Sequence, residues 1–150
     1  MAKKVFEIEM KVRDYECDAQ GIVNNANYLH YTEVTRHEFM ESLGISFKEC
    51  HALGIDPVVS RADLHYKTSL TGADVFLSSL TVERKGAKLI FHHTIRRKSD
   101  ESICCNAQIE VAILVNGKLS RGDFFDEKMK EYLEELRTKN SFLTLSSQFS

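Results

Sequence analysis

The chain has 150 residues, of which 43% are hydrophobic and 28% charged, with a formal net charge of −2. This length suits one domain with a sizeable core, and the charge balance lacks the cationic excess that nucleic-acid-binding surfaces need. No apolar run approaches the about 20 residues of a membrane-spanning helix, and the first residues turn polar before a secretory signal forms. We therefore expect a cytoplasmic protein without nucleic-acid or membrane partners.

The predicted elements begin with a half-buried strand, because residues 5–13 alternate between polar and apolar side chains. After a loop, residues 28–43 show helical spacing and predict an amphipathic helix of about four turns. Its apolar side comprises Tyr28, Thr32, Thr35, Phe39 and Leu43, with Leu29 and Met40 at the margin. Residues 45–54 predict a further short helix or turn.

Four apolar runs follow, at residues 57–70, 75–84, 89–97 and 103–115. Tight turns separate the later runs and Asn116-Gly117 follows the last, so we predict an antiparallel meander. Residues 123–137 then place Phe125, Met129, Tyr132, Leu133 and Leu136 at helical spacing, which predicts a second amphipathic helix. We predict one domain over residues 1–140 and a mobile tail over residues 141–150.

The predicted fold is an α+β domain in which a five-stranded antiparallel sheet wraps around a long central helix, with a C-terminal helix. One helix covers less surface than five strands present, and an uncovered sheet edge or face favours self-association. We therefore expect a homo-oligomer.

The residues suited to catalysis are few. The chain lacks a G-x-S-x-G elbow, a glycine-rich phosphate loop and an H-E-x-x-H pair. His92 and His93 are neighbours on a predicted strand and point to opposite faces, which excludes a shared role. The four cysteines have no C-x-x-C spacing, so we predict reduced, mostly buried thiols and no metal.

The stretch CDAQGIVNNANYL, residues 17–29, places Asp18 shortly before the long helix. Asn24, Asn25 or Asn27 can cap that helix, whose free backbone N–H groups attract developing negative charge. Those groups would hold the carbonyl oxygen of an ester or thioester while Asp18 attacks the carbon or draws a proton from water. The alternative is an Asx-turn aspartate that only shapes the loop.

The pattern D-x-x-G-I-V-x-x-x-x-Y, formed by Asp18, Gly21, Ile22, Val23 and Tyr28, resembles the signature of hotdog-fold thioesterases of the 4-hydroxybenzoyl-CoA thioesterase and YbgC type. The resemblance continues through Glu33 and Arg36. It implies metal-free hydrolysis of acyl-coenzyme A thioesters in a homodimer or dimer of dimers, with sites at the subunit interface. Coenzyme A is then part of the substrate, and no separate cofactor is expected.

The resemblance also implies roles for particular residues. Asp18 takes the catalytic position, the backbone N–H of Asn25 polarises the carbonyl, and Gly21, Val23 and Tyr28 belong to the substrate site. YbgC-like members carry a histidine at the position of Asn25, and 4-hydroxybenzoyl-CoA members carry an aromatic residue. The backbone role survives either difference, whereas a histidine-assisted step does not.

Two basic clusters are candidates for the phosphates of coenzyme A: Arg84, Lys85 and Lys88 at one hairpin, and Arg96, Arg97 and Lys98 at the end of the next strand. The sequence leaves the choice between the two clusters open, and we take Arg84, Lys85 and Lys88 as the candidate substrate-binding residues. Glu33 and Arg36 either pair on the helix surface or leave Arg36 with a buried partner. Other functions consistent with the sequence are an acyl-carrier-protein thioesterase and a non-catalytic acyl-CoA binding module. A hotdog dehydratase is disfavoured, because it needs a histidine beside its aspartate and Asn25 occupies that position.

Overall fold

The computed structural model describes residues 4–133. These residues form one six-stranded sheet, one long and three short α-helices, and a 3-10 turn. The strands are β1 (Phe6–Lys11), β2 (Ile55–Tyr66), β3 (Val75–Lys85), β4 (Lys88–Arg97), β5 (Ile103–Val115) and β6 (Lys118–Ser120). The helices are α1 (Asn25–Ser42), α2 (Phe47–Ala52), α3 (Phe124–Lys128) and α4 (Lys130–Leu133). None of these helices is both long and apolar enough to cross a membrane. The predicted tail, residues 141–150, lies outside the described residues.

The sheet is antiparallel throughout, with the order β1-β3-β4-β5-β2. Only β3, β4 and β5 form the predicted meander, and placing β2 beside β3 was wrong. The connection at residues 67–74 is too long for a tight hairpin, and it is held by the loop that contains Asp18, through an Ile22–Thr71 bridge. β6, which was not predicted, pairs with β5 after a turn in which Asn116 and Gly117 both have positive φ.

Helix α1 crosses the concave face of the sheet and supplies the centre of the core. It begins earlier than predicted, because the Asn24 side chain accepts the Ala26 N–H at 3.0 Å and caps the helix. Phe39 is fully buried and packs with Leu80, Phe91 and other strand residues. Tyr31 and Arg36 are buried as well, so the buried side of α1 is wider than its apolar periodicity indicated.

The C-terminal helix is divided. Met129 interrupts it, with φ −96° and ψ 9°, so the prediction of one continuous helix was wrong within the described residues. The interruption lets Phe125, Met129 and Tyr132 all pack into the cluster around Phe39, as their spacing predicted. Leu136, the last predicted apolar position, lies outside the described residues.

Strand β2 is an edge strand with an apolar, open surface. Val58, Val59 and Tyr66 are 39%, 49% and 50% exposed, although the alternation of β2 predicted that Val58 and Tyr66 face the core. α1 is too narrow to cover a strand at the edge of this curved sheet.

A buried polar pair links α1 to the sheet. The Arg36 guanidinium donates from Nη1 to His93 Nε2 at 3.2 Å, and both side chains are buried. Burial, together with the nearby charges of Arg36 and His92, lowers the pKa of His93 from 6.5 to about 3. His93 is therefore neutral in the folded protein at neutral pH.

This pKa shift predicts that acid destabilises the fold through His93. Between about pH 6.5 and about pH 3 the unfolded chain holds a proton at His93 that the folded chain lacks, so stability falls as the pH falls. The contribution is about 1.4 kcal/mol per pH unit, or about 2 kcal/mol between pH 6.5 and pH 5. Urea unfolding at pH 7 and pH 5 should show a smaller loss in His93→Gln than in the wild type. His92→Gln, on the exposed outer face, is the matched control, and equal losses in both variants contradict the assignment.

Candidate active site

The loop before α1 is fixed by Glu16. Its backbone carbonyl accepts the Asn24 N–H at 2.9 Å and the Asn27 side-chain amide at 2.8 Å. Its carboxylate accepts the Arg13 N–H at 2.7 Å and the buried Tyr31 hydroxyl at 2.9 Å. Four hydrogen bonds thus hold residue 16 against the start of the helix, and Asp18 follows two residues later.

Asp18 forms a tight turn and keeps one oxygen free. Its Oδ1 accepts the Gln20 N–H at 2.8 Å, and its backbone carbonyl accepts the Gly21 N–H at 3.0 Å. Gly21 has φ +80°, a conformation that side chains disfavour, which explains the glycine at this position. The Asx turn is therefore present, yet Oδ2 has no hydrogen-bond partner within residues 4–133. The turn therefore fixes the orientation of the carboxylate and uses only one of its two oxygens.

Asn25 presents a free backbone donor beside this carboxylate. The Asn24 side chain and carbonyl take the N–H groups of Ala26 and Asn27, whereas the Asn25 N–H has no acceptor in the described part of the chain. The Tyr66 hydroxyl donates to the Asn25 carbonyl at 3.2 Å and so holds this residue from its other side. A free N–H at a helix N-terminus favours negative charge at its tip.

Asp18 and Asn25 line one cavity of about 270 Å³. Its walls are formed by Asp18, Ile22, Val23, Asn25, Tyr28, Tyr66, Lys67, Thr68, Ser69 and Cys104. The second core cluster, which contains Val23, Tyr28, Tyr31 and Cys104, lies beneath it and gives the loop a rigid base. The structure thus brings together a carboxylate, a backbone donor and a polar rim at one sheet end.

The predicted substrate residues of this loop fall into two groups. Val23 and Tyr28 line the cavity, and both are also structural: the Val23 N–H donates to the Leu70 carbonyl, and the Tyr28 hydroxyl accepts the Leu70 N–H at 3.1 Å. Gly21 shapes the turn and does not line the cavity. Their contact with substrate stays a prediction.

Sequence reasoning missed the far wall, residues 66–69. Those residues were predicted to continue a strand, but β2 ends at Tyr66 and the chain then bends past Asp18. The signal in the sequence was the run Lys67-Thr68-Ser69, which breaks the apolar alternation of β2.

The basic clusters are largely committed within the chain. Arg84 bonds to Asp126 and to the Arg121 and Gly122 carbonyls, and its side chain is only 12% exposed. Lys88 lies 3.7 Å from Glu110, whereas Lys85 is exposed with no ion pair among the described residues. The arginines of the second cluster pair as well, Arg96 with Glu7 and Arg97 with Asp74 and Asp100. The assignment of Arg84 to phosphate therefore has no support from its surroundings.

Glu33 and Arg36 do not pair with each other. Glu33 is exposed and lies 3.8 Å from His37, and Arg36 turns inward to His93. The buried-partner alternative for Arg36 is thus the one observed.

The cysteines and potential metal ligands are dispersed. All four cysteines are free thiols, and Cys104 and Cys105 are buried. Burial raises the pKa of Cys105 to about 11, which makes it unreactive as a thiolate at neutral pH. No group of three His, Cys, Asp or Glu side chains in residues 4–133 is arranged to hold a metal ion.

The predicted cytoplasmic location of the protein is not tested by the structure and stays a prediction.

The curved antiparallel sheet with α1 across its concave face is a hotdog fold, and comparisons with known proteins agree. The thioesterase-like superfamily matches residues 12–137. A putative esterase of Aquifex aeolicus is 32% identical over 114 residues, which cover 76% of this chain and 88% of the relative. The chain therefore belongs to the thioesterase-like superfamily, a family of thioester hydrolases.

Two further similarities concern substrates and fold. An acyl-acyl carrier protein thioesterase of Arabidopsis thaliana is 38% identical over 90 residues, covering 59% of this chain, which spans about half (47%) of that relative's length. A Staphylococcus aureus protein solved in complex with CoA superimposes with a TM-score of 0.80 at 19% identity, covering 89% of this chain and 87% of that one. This last similarity concerns the fold alone.

The contacts of Arg84 predict a structural role that can be separated from ligand binding. Arg84→Gln should lower the free energy of unfolding by about 1–3 kcal/mol, because it leaves two carbonyls and the Asp126 carboxylate without their donor. Lys85→Gln, in the same hairpin but exposed, should stay within about 0.5 kcal/mol of the wild type. Urea denaturation of the two variants measures the difference. Equally small effects in both variants would mean that the contacts of Arg84 do not stabilise the fold and that Arg84 is available to bind phosphate.

Proposed function

We propose that this chain hydrolyses acyl-coenzyme A thioesters at the cavity that contains Asp18 and Asn25. The observation that carries the proposal is that two residues line the same cavity: Asp18, with one carboxylate oxygen free, and Asn25, with a helix N-terminal N–H that has no acceptor among the described residues. A thioester carbonyl needs both groups: one to attack it or to activate water, the other to receive its oxygen.

The reaction follows one of two routes. As a nucleophile, Asp18 Oδ2 bonds to the thioester carbon, the C–S bond breaks, coenzyme A leaves as its thiolate, and water then hydrolyses the acyl-aspartyl anhydride. As a general base, Asp18 removes a proton from a water that attacks the same carbon, and the C–S bond then breaks to release the acid and the thiolate of coenzyme A. On either route the Asn25 N–H donates to the carbonyl oxygen as negative charge develops there, and the dipole of α1 adds to this effect.

We further propose that the working form is a homodimer joined along β2, alone or paired into a tetramer. The free β2 edge and its exposed Val58, Val59 and Tyr66 support this assembly. A two-fold axis beside an antiparallel edge strand also reverses the second sheet. The β3–β4 hairpin then lies at the same end of the assembly as the first copy's Asp18.

This reversal matters for the phosphates. Along β3 the hairpin is roughly 33 Å from the Asp18 end of the same chain, too far for one coenzyme A molecule to contact both within one protomer. The hairpin of a second copy removes this difficulty. We propose that Lys85 and Lys88 of that copy contact the phosphates, without Arg84.

A carrier-protein thioester is the second candidate substrate. The named relative in Arabidopsis favours it, and the Staphylococcus aureus complex with CoA favours coenzyme A. Turnover of one acyl group presented on coenzyme A and on acyl carrier protein separates the two. A preference for the carrier protein of tenfold or more in kcat/KM would replace our first choice.

The catalytic proposal predicts that Asp18→Asn loses at least about a hundredfold in kcat, because the amide keeps the shape but neither attacks nor accepts a proton. Asn25→Ala keeps the backbone N–H and should cost far less, which makes it the matched control. Thiol release measures both. Near wild-type turnover by Asp18→Asn would reduce Asp18 to a turn residue, and ligand binding without thiol release by the wild type would mean a binding module.

The assembly proposal predicts a stable oligomer at micromolar concentration. Light scattering should give at least twice the mass of the chain, and Val59→Glu, which places a charge on the exposed edge, should shift the mass toward the monomer. The exposed outer-face variant Asp63→Asn is the control. A wild-type monomer contradicts the shared-site arrangement.

A further inference from the structure

A second cavity lies between α1 and β2. It has a volume of about 450 Å³, and its walls are mainly apolar, including Leu29, Met40, Phe47, Val58, Phe91 and Ile113. Leu29 is one helical turn beyond Asn25 on the same face of α1, and Tyr66 joins the end of β2 to Asn25. Both cavities therefore lie along the same α1–β2 groove, and the acyl group of a thioester held at Asn25 has this space before it. We call the second cavity the acyl chamber.

The acyl chamber contains one buried cation. Arg36 lines it and is 7% exposed, and only its Nη1 has a hydrogen-bond partner, His93, among the described residues. No carboxylate of residues 4–133 lies within 4.0 Å of this guanidinium. Burial lowers the pKa of Arg36 to about 10, so it remains charged at neutral pH. The exposed Glu33 lines the same chamber and acts on Arg36 only from beyond 4.0 Å. A buried charge without a directly bonded counter-charge is costly unless a ligand compensates it.

His93 adds a second unpaired donor next to this cation. Because a guanidinium only donates, His93 Nε2 must accept, and the ring proton lies on Nδ1. Nδ1 is buried and has no hydrogen-bond partner in the described part of the chain. His93 itself lines a different cavity, together with His65, His92 and Gln108. The polar side chains that line the acyl chamber are Arg36 and the exposed Glu33 and His37. Of these, the buried Arg36 is the donor that suits an oxygen anion.

We propose that the acyl chamber binds the far end of an acyl chain that terminates in a carboxylate, and that Arg36 pairs with this carboxylate. The preferred substrates are then coenzyme A monothioesters of linear dicarboxylic acids. This inference rests on the proposed function, since it assumes that the thioester lies at Asn25.

The reach of Arg36 sets the length of that chain. Residue 36 lies about 16 Å along the helix from residue 25, and helical side chains lean back toward the N-terminus. The guanidinium therefore stands well beyond the reacting carbonyl, and a short diacid does not reach it. An acyl chain of medium length spans the apolar wall and places its terminal carboxylate at Arg36, which is buried in the chamber.

The test compares diacids with monoacids of equal length. Suberoyl-, sebacoyl- and dodecanedioyl-CoA are measured against octanoyl-, decanoyl- and dodecanoyl-CoA by thiol release. At one or more lengths the wild type should prefer the diacid by at least about tenfold in kcat/KM, since a charge-assisted pair forms only with the diacid. Arg36→Met should bring this ratio close to one, and Arg36→Lys should give an intermediate ratio. Arg61→Gln removes a cation from the exposed outer face and should keep the wild-type ratio.

Binding of methyl esters gives a readout that does not need thiol release. Isothermal titration of the wild type should show tighter binding of monomethyl sebacate, which keeps one free carboxylate, than of methyl decanoate, which has none. Arg36→Met should lose the difference. The wild-type comparison and Arg36→Lys decide the matter if Arg36→Met fails to fold.

The outcomes also separate this inference from the proposed function. Hydrolysis of monoacyl-CoA with no diacid preference at any length overturns the inference and leaves the thioesterase intact. Arg36-dependent binding of the diacid without any thiol release supports the inference and removes the proposed reaction. A change of oligomeric state in Arg36→Met, with no diacid preference in the wild type, would assign the guanidinium to a contact between copies and overturn the inference.

Discussion

The first turn of α1 determines what the rest of this structure must do. A helix start carries N–H groups that no residue of the helix can accept. Asn24 accepts two of them, through its side chain and its carbonyl. The N–H of Asn25, a residue that lines a cavity, has no acceptor within residues 4–133. The direction of this free N–H is fixed because the neighbouring polar groups of the loop and of α1 are hydrogen-bonded. The hydrogen bonds of Glu16 and Tyr66 supply that pairing from the loop and from β2.

A second constraint acts inside the core. Arg36 and His93 place two polar side chains between α1 and β4, where hydrocarbon would pack at lower cost. The pair keeps His93 neutral and leaves Arg36 at a largely apolar cavity with no carboxylate of the described residues within 4.0 Å. A structural role alone would be served by partners that satisfy each other completely, and this pair does not do so. The unfilled hydrogen-bonding capacity is the reason to look for an anionic ligand there.

The single chain also leaves surfaces that are incomplete by themselves. β2 ends the sheet with exposed valines and with Tyr66, although α1 and α4 cover the strands near the centre of the concave face. The hairpin with Lys85 is at the opposite end of the sheet from Asp18. A second copy related by a two-fold axis at β2 resolves both features at once, because it covers the edge and brings a hairpin to the site.

The sequence by itself determined what depends on neighbouring residues: the alternation of the strands, the helical spacing around Phe39, the asparagine cap, the turn at Asn116-Gly117 and the placing of Asp18 before a helix. Only the tertiary structure decided the features that join distant positions. These are the location of β2 at the far edge, the attachment of Arg84 to Asp126, the interruption at Met129, the Tyr66 contact and the Arg36–His93 pair. Local periodicity tells which face of an element is apolar, but it does not tell which element covers that face or which charge meets it. Those choices follow from the packing of the whole sheet against α1, where residues far apart in sequence compete for the same buried partners.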